Sequence, residues 1–433
     1  MQNLIFWELN EINFEYLFHY IKKGKLKNWE RFISQYGITE TYSEKKYQNL
    51  EPWIQWPSIR TGLTFSEHKI FRLGDIVNLN VAQHWEIIEK MGYSVSAFSP
   101  INASNNTLQS PFWIPDPWTK TKVSGAKSNK DISEAISQSV NDNAQGKIST
   151  KTLRTLMINL FVCFRFSSMK IYLRSFLGLI IKQHWSKAII FERLSSDIFL
   201  NLLRKNNPNF SVIFSNAGAH IQHHYIYNSE YYSGEQVNPD WYVKKSKDPI
   251  LEVFQMYDGL LKDLLKVKNS RLIIATGLRQ VPYPTPIYYW RLRNHEKFLR
   301  KLGIKFLRLE PRMTRDFHIF FENSTMARKC STEFQQILAP DGERIFGIVE
   351  NEGDKVFVSL TYDKPVPKDF SLKFKGKVIK DFKSDIVFVA IKNGHHDGKG
   401  YFFDSAHQIK KSKFHVKEIF NIVISHFTTA NKK

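Results

Sequence analysis

The sequence predicts an α/β fold, an α/β/α sandwich in which helices cover both faces of a mostly parallel sheet. Short apolar runs with strand character, such as LIFWEL (4–9) and FSVIFSN (210–216), alternate with longer segments that have the apolar spacing of helices. This alternation is the order of βαβ units, from which parallel sheets are built.

The elements follow from this pattern in chain order. Strands are predicted over 4–9, 93–100, 210–216, 270–278 and 400–404, and helices over 14–33, 81–92, 248–267 and the C-terminal segment. A turn rich in Pro and Trp, EPWIQWPSIRTGL, leads into a further helix, and another helix carries the histidines of SNAGAHIQHHY.

The 433 residues are interpreted as a single domain over 1–433 with two departures from the repeating pattern. Residues 103–205 are interpreted as an insertion, irregular up to about 150 and helical beyond it. Residues 281–390 contain shorter, β-like runs and are interpreted as a small β-rich excursion. The two cysteines match no zinc or redox spacing, and the N-terminus has no features of a signal peptide, so a cytoplasmic protein is expected.

The net charge of +21 makes an anionic partner the natural expectation. A surface that is merely rich in lysine is the alternative. Nucleic acid is not the expected partner, because no RNP, zinc-finger or helix-turn-helix pattern accompanies the charge.

One segment, 152–185, is strongly apolar but is interrupted by Arg154, Arg165, Lys170 and Arg174. No uncharged window in it reaches the roughly 18 to 20 residues of a transmembrane helix. Two interpretations remain: helices that cover the domain, or a basic amphipathic segment in peripheral contact with an anionic membrane.

Four polar fragments follow predicted strands or the Pro/Trp turn: ELNEIN, PWIQWPSIRTGLTFSEHKI, SNAGAH and GHHDGKGYFF. Because the carboxyl ends of parallel strands meet at one edge of a sheet, these fragments are expected to converge there. Their order resembles that of the alkaline phosphatase superfamily, especially its type I phosphodiesterase/nucleotide pyrophosphatase branch. The stretch from Trp56 to Ile70 resembles that branch's Ser-x-x-Thr-Gly-Leu and Glu-His-Gly-Ile, and Asn216-x-x-x-His220 resembles its Asp-x-x-x-His.

The resemblance implies a site with two metal ions beside a Thr or Ser nucleophile. Asn216, His220 and His396 take the positions of one metal's ligands, with Asn in place of Asp. The other metal's late Asp-His pair is replaced by Ala275-Thr276-Gly277-Leu278. The cofactor is therefore expected to be one divalent, zinc-like ion, completed by Glu8 or Glu11, or no metal at all.

The remaining candidates are assigned catalytic roles, each with a structural alternative. Ser58 and Thr61 are candidate nucleophiles or helix-capping residues, and Gln280 is a candidate for orienting a substrate hydroxyl or merely lines a strand end. The other catalytic candidates are polar groups after the first strand and on the histidine helix: Glu8, Asn10, Glu11 and His224.

Two functions are compatible with these residues. The first is a divergent hydrolase or transferase acting on a phosphorylated or lipid-linked glycan in bacterial surface-polysaccharide metabolism, with acid–base chemistry by Glu8, His220 and His396. The second is a catalytically inactive relative that binds phosphoglycans or partner proteins.

Overall fold

A computed structural model describes residues 2–141, 148–312, 315–406 and 412–430. The chain forms two compact units, the first made of Met1–Pro282 with Gly394–Lys433 and the second of Tyr283–Asn393. The first unit contains a mixed, mostly parallel sheet with helices on both faces, so the predicted fold class is confirmed.

The strands, numbered in chain order, are β1 (Asn3–Leu9), β2 (Thr39–Tyr42), β3 (Val95–Phe98), β4 (Trp113–Ile114), β5 (Phe210–Ser215), β6 (Ser270–Ala275), β7 (Arg279–Leu292), β8 (Arg308–Pro311), β9 (Asp316–Phe320), β10 (Ile348–Glu352), β11 (Lys355–Ser359), β12 (Leu372–Phe374), β13 (Lys377–Ile379), β14 (Ile386–Asp397), β15 (Lys399–Asp404) and β16 (Lys413–His415).

The helices are α1 (Phe14–Lys22), α2 (Lys27–Tyr36), α3 (Pro52–Thr61), α4 (Phe65–His68), α5 (His84–Lys90), α6 (Lys127–Asn141), α7 (Thr150–Val162), α8 (Met169–Ile180), α9 (Trp185–Asn206), α10 (Ala217–Tyr225), α11 (Pro249–Leu265), α12 (His295–Lys301), α13 (Ser324–Gln335), α14 (Phe382–Asp385) and α15 (Glu418–Ala430).

The main sheet has the strand order β16-β2-β15-β6-β1-β5-β3-β4. The strands from β6 to β4 are parallel, whereas β15 is antiparallel to both β6 and β2. Glu8 of β1 is in register with Phe214 of β5 and with Ala275 of β6. The three central strands therefore end at the same level, and the residues that follow them meet at one edge.

Side chains of β1 alternate between two buried faces, as expected for a central strand. Trp7 and Leu9 pack in the apolar layer that includes Trp29 and Tyr257, while Phe6 packs on the opposite face with Trp56. Glu8, between Trp7 and Leu9, consequently faces the α3 side of the sheet.

One sequence-based boundary is corrected by the structure. The helix predicted over 14–33 is two helices, because Gly24 adopts a left-handed φ of 67° between them. Within the interval interpreted as an insertion, 103–205, β4 is a strand of the main sheet, and Ile189 and Phe199 of α9 belong to the apolar core. The stretch interpreted as irregular also contains α6.

The second unit has its own core, around Phe317, Val356 and Phe334. Its four-stranded sheet has the order β10-β11-β9-β8 with antiparallel pairing throughout, and β12 pairs with β13. The chain passes between the units in β7 and β14, which pair with each other. Among the described residues, no single helix is long and apolar enough to cross a membrane. The segments Thr150–Val162 and Phe166–Ile180 meet those limits only as a pair bent by 111°.

Candidate metal centre

The turn after β1 brings a carboxylate to the edge where the central strands end. The amide of Asn10 donates to the carbonyl of Ser215 and that of Glu11 to the carbonyl of Thr276, each at 3.0 Å. Glu11 has a φ of 58°, in the left-handed region that non-glycine residues seldom occupy. Its carbonyl also accepts from Nε2 of Gln222 at 3.0 Å, so its backbone is held from both sides. Such conformations cluster at functional sites.

Two histidines from distant parts of the chain meet this carboxylate. Oε2 of Glu11 lies 3.2 Å from Nε2 of His223 and 3.1 Å from Nε2 of His396. The three donor atoms lie within 4.8 Å of one another, close enough to share a metal ion, and in the part of the chain that the structure describes this is the one His, Cys, Asp and Glu group of three or more with that geometry. A carboxylate and two imidazoles are ligands that suit zinc and other divalent transition metals.

The far nitrogens of both rings have partners that orient them. Nδ1 of His223 lies 3.0 Å from the carbonyl oxygen of Gly394, and Nδ1 of His396 lies 3.4 Å from Oε2 of Glu51. Because a carbonyl can only accept, Nδ1 of His223 carries a proton, and in the neutral ring Nε2 then presents a lone pair to Glu11. A proton or a shared cation must therefore lie between Nε2 of His223 and Oε2 of Glu11. Metal-ligating histidines usually have such an outer carbonyl or carboxylate partner.

The charge of Glu11 is maintained although its side chain is buried. Burial opposes ionisation, but the charges and hydrogen bonds of His396 and His223 outweigh it and hold the pKa of Glu11 well below its usual range. With a divalent ion and neutral imidazoles, Glu11 and Glu51 together would balance the charge of the ion. The residues present therefore fit one metal ion.

Amide groups fix both oxygens of the Glu11 carboxylate. Nε2 of Gln280 donates to Oε2 at 2.6 Å, and Nδ2 of Asn10 lies 2.9 Å from Oε1. The same Asn10 nitrogen lies 2.8 Å from Oδ1 of Asn216, and Nε1 of Trp56 donates to Oδ1 of Asn10 at 2.8 Å. Asn10 and Gln280, both predicted site residues, thus support the carboxylate.

Helix α10 is positioned by close packing at its first turn. The buried carboxylate of Glu192 accepts from the amides of Asn216 and Ala217, each at 3.0 Å. At Gly218, a Cβ atom would lie 2.3 Å from Cδ1 of Ile12 and 2.7 Å from the ring of Tyr257. Only glycine permits this approach, which brings His223 of α10 to Glu11 on the turn after β1.

This group differs from the predicted set of metal ligands. Of Asn216, His220 and His396, only His396 belongs to the group. Oδ1 of Asn216 instead accepts a hydrogen bond from Asn10. His220 is exposed, and its ring centroid lies 4.8 Å from that of His224. Glu11, named above both as a catalytic candidate and as a residue that could complete the metal shell, and His223 occupy the other two positions. His223 was missed, although its place three residues beyond His220 puts it on a neighbouring part of the same helix.

Three predicted catalytic residues lie outside the group. Both oxygens of Glu8 pair with the guanidinium of Arg60, and neither side chain is exposed. Oγ of Ser58 lies 2.9 Å from Nε2 of His68, and Oγ1 of Thr61 donates to the carbonyl of Pro57 at 2.7 Å. Glu8 is thus fully engaged with Arg60, and Ser58 and Thr61 have structural partners, so the structure does not bring these three predicted residues to the group. The predicted candidate His224 is partly buried beside His220.

The segment Ala275-Thr276-Gly277-Leu278, which replaces the second metal's Asp-His pair, provides no second set of ligands. Ala275 ends β6, Leu278 is buried, and Oγ1 of Thr276 accepts from the amide of Tyr401 at 2.9 Å. Arg279, directly after it, is held by Asp397, with Nε 2.6 Å from Oδ2, and by Glu15.

No protein-family model matches the sequence, and no curated protein matches it. Solved structures to which it is similar include a phosphonoacetate hydrolase from Sinorhizobium meliloti, at 11% identity and a TM-score of 0.44 over 98% of this chain and 96% of that one. Murine ectonucleotide pyrophosphatase/phosphodiesterase 5 is 10% identical over 99% and 95% of the two chains with a TM-score of 0.40, and alkaline phosphatase from the Antarctic bacterium TAB5 is 9% identical over 98% of each with a TM-score of 0.41.

Proposed function

We propose that the protein is a hydrolase or group transferase that binds one divalent, zinc-like ion at Glu11, His223 and His396. We further propose that its substrate is a phosphorylated or lipid-linked glycan of bacterial surface-polysaccharide metabolism. The observation that supports the ion most directly is the buried carboxylate between two imidazoles, each oriented by an outer acceptor.

A bound divalent ion would supply positive charge opposite the negative charge that develops during transfer of a phosphoryl group. The chain's own residues would orient the site and move protons. Glu51 and the Gly394 carbonyl set the orientation of the two liganding rings. The net charge of +21 would concentrate an anionic substrate.

A row of imidazoles leads from the buried group to solvent. Ring centroids lie 5.1 Å apart for His396 and His223, 6.3 Å for His223 and His224, and 4.8 Å for His224 and His220. His220 is exposed at the end of this row. Desolvation of the ring lowers the pKa of His220, so the neutral imidazole is favoured and is suited to accept a proton from substrate or water as a general base.

Hydrolysis would use water as the nucleophile. Neither Ser58 nor Thr61 is available, because their hydroxyls are bonded to His68 and to the Pro57 carbonyl inside the α3 region. One ion would also provide only half of the charge that a two-metal clamp places on a transferring phosphoryl group. We therefore expect little or no turnover of a simple aryl phosphate.

The alternative is a catalytically inactive protein that binds phosphoglycans or partner proteins through the same groups. The observation that favours it is again the structural role of Ser58 and Thr61, which leaves α3 without a hydroxyl nucleophile. In that case ligand affinity would depend on the site, and no product would form.

Elemental analysis of the purified protein, joined to product assays on phosphorylated and lipid-linked glycans, tests the proposal. We expect about one zinc-like ion per chain, its loss in His223→Ala and His396→Ala, and its retention in His220→Ala. Turnover in His220→Ala should fall on the order of a hundred- to ten-thousand-fold.

His184 is exposed and is not part of the metal-binding group, so His184→Ala serves as the matched control. Its metal content and turnover should equal those of the unaltered protein. Metal content that is unchanged in both His223→Ala and His396→Ala would refute the metal site. Tight binding of a glycan with no product would select the binding protein.

A further inference from the structure

Helix α8 buries polar and small residues and exposes large apolar ones. The residues that it buries against the protein are Tyr172, Ser175 and Gly178. Oη of Tyr172 donates to Asp197 at 2.8 Å, so this inward face contributes to a polar network. A helix on the surface of a globular protein normally directs its apolar residues inward, so the outward face of α8 requires a separate explanation.

The outward face of α8 carries apolar residues along its whole length, together with the exposed Lys170 and Arg174. The exposed apolar residues recur at helical spacing over three turns and include Met169, Leu173, Phe176, Leu177 and Ile180. Ile180 is 76% exposed. These side chains form a continuous stripe directed to solvent.

Helix α7 and the connection to α8 extend this apolar surface. Phe161 is 74% exposed and Phe166, in the connection, is 86% exposed. Between residues 153 and 181 lie fourteen of the 29 exposed large hydrophobic side chains in the described part of the chain. Monomeric soluble proteins seldom leave so much apolar surface uncovered in one place, which indicates a surface with an occupant.

The charge of the same segment identifies the kind of occupant. From Thr150 to Lys187 the sequence contains seven basic residues and no Asp or Glu: Lys151, Arg154, Arg165, Lys170, Arg174, Lys182 and Lys187. Arg154, Lys170 and Lys182 are exposed. Exposed apolar residues mixed with Lys and Arg alone are typical of helices that lie in the interface of an anionic membrane.

We propose that α7 and α8 form a membrane-binding hairpin, whose apolar face enters the headgroup region of an anionic lipid bilayer. A second copy of the chain fits this face poorly, because a twofold contact would bring the same basic residues of two molecules together. Each helix is about 20 Å long or less and the pair is bent by 111°, so the hairpin lies in the interface and does not cross the roughly 30 Å hydrocarbon core.

This inference does not depend on the metal centre or on the proposed reaction. The test is flotation of the intact protein with vesicles of phosphatidylcholine alone and of phosphatidylcholine mixed with phosphatidylglycerol. We expect binding to the anionic vesicles that weakens with added salt. Phe161→Ser, Phe166→Ser and Ile180→Ser should each lower the partition coefficient by about ten-fold.

Val237→Ser is the matched control, because Val237 is 66% exposed but lies outside the hairpin, and it should bind as the unaltered protein does. The double variant Lys170→Glu/Lys182→Glu should lose the preference for anionic vesicles. The proposal is overturned if the folded protein does not bind anionic vesicles at low salt, or if the serine variants bind undiminished. It is also overturned if sedimentation shows a dimer that the serine variants dissociate, because a second copy then covers this face.

Discussion

Oε2 of Glu11 and Nε2 of His396 lie 3.1 Å apart, although the two residues come from near opposite ends of the sequence. The contact depends on the sheet order, in which β6 lies between β1 and β15. His396 precedes β15, and Glu11 follows β1, so the antiparallel direction of β15 brings the start of one strand to the end of the other.

Glu51→Gln should weaken the metal site without unfolding the protein. The Glu51 side chain is about one-third exposed, and its partner is Nδ1 of His396, so the change removes a charged orienting group and little packing. Loss of such an outer partner typically lowers metal affinity by about 10- to 100-fold. Competition with a zinc chelator measures the change, and Glu30→Gln, at an exposed position on α2, is the control. Equal affinities in the two variants would contradict the role given to Glu51.

Glu8→Gln should lower the stability of the fold and leave the metal content of the folded protein unchanged. The change removes one partner of a buried ion pair and leaves the guanidinium of Arg60 without its counter-charge, which typically costs about 3–5 kcal/mol. Denaturant unfolding measures the loss of free energy of unfolding. The double variant Glu8→Leu/Arg60→Met should be less destabilised than Glu8→Gln, because no uncompensated charge remains. A loss of bound zinc from folded Glu8→Gln would restore Glu8 to the site.

His68 should make the protein less stable as the pH falls from about 6.5 to about 4. Burial lowers the pKa of His68 to about 4, so the folded protein leaves this ring neutral over a range in which the unfolded chain protonates it. The unfolded state then binds more protons, and stability decreases with falling pH until both states are protonated.

The structure gives the reason for this neutral ring. Nδ1 of His68 accepts from the amide of Ile70 at 3.0 Å, and Nε2 faces Ser58. His68→Asn should reduce the pH dependence over this range by on the order of 2 kcal/mol. Denaturant unfolding at several pH values measures it, with the exposed His184→Asn as control. Identical slopes in the unaltered protein and His68→Asn would show that the ring is not held neutral.

Gly218→Ala should displace α10 and thereby reduce both stability and metal affinity. A methyl group at this position meets Ile12 and the buried ring of Tyr257, and overpacking of this kind typically costs about 1–3 kcal/mol. Gly259→Ala is the matched control, because its methyl group would make an ordinary contact with Ile171 at 3.5 Å. The control should be stabilised by up to about 1 kcal/mol through helix propensity. Calorimetry measures the change in stability, and chelator competition measures the change in metal affinity. A Gly218→Ala variant as stable as the unaltered protein would contradict the prediction.

The sequence predicted the sheet and the segments that meet at its edge, because apolar periodicity and strand order determine both. It did not predict which side chains face the edge. Glu8 and Glu11 are the same residue type and lie three positions apart. Glu8 lies within β1, where the alternation of side chains between the two faces of the sheet directs it to Arg60. Glu11 follows the strand, and its left-handed backbone turns it toward His223 and His396. Such a conformation has no signal in the apolar pattern, since it is held by tertiary bonds to Thr276 and Gln222.

The same limit explains His223. The spacing Asn216-x-x-x-His220 drew the metal assignment to His220, but the rotation of α10 is set by Glu192 at its first turn and by the contact of Gly218 with Ile12. Neither contact is local in sequence. The chemistry of the site was therefore accessible from residue types, and its geometry was not.

The distance along the chain between Glu11 and His396 has a consequence for biosynthesis. During translation Glu11 leaves the ribosome first and His223 later, but the third ligand follows only after the whole second unit has been made. The three side chains that could share an ion are therefore all present only after His396 has been synthesised, and β15 joins the sheet beside β6 later still. A chain truncated before His396 would lack one of the three members of this group.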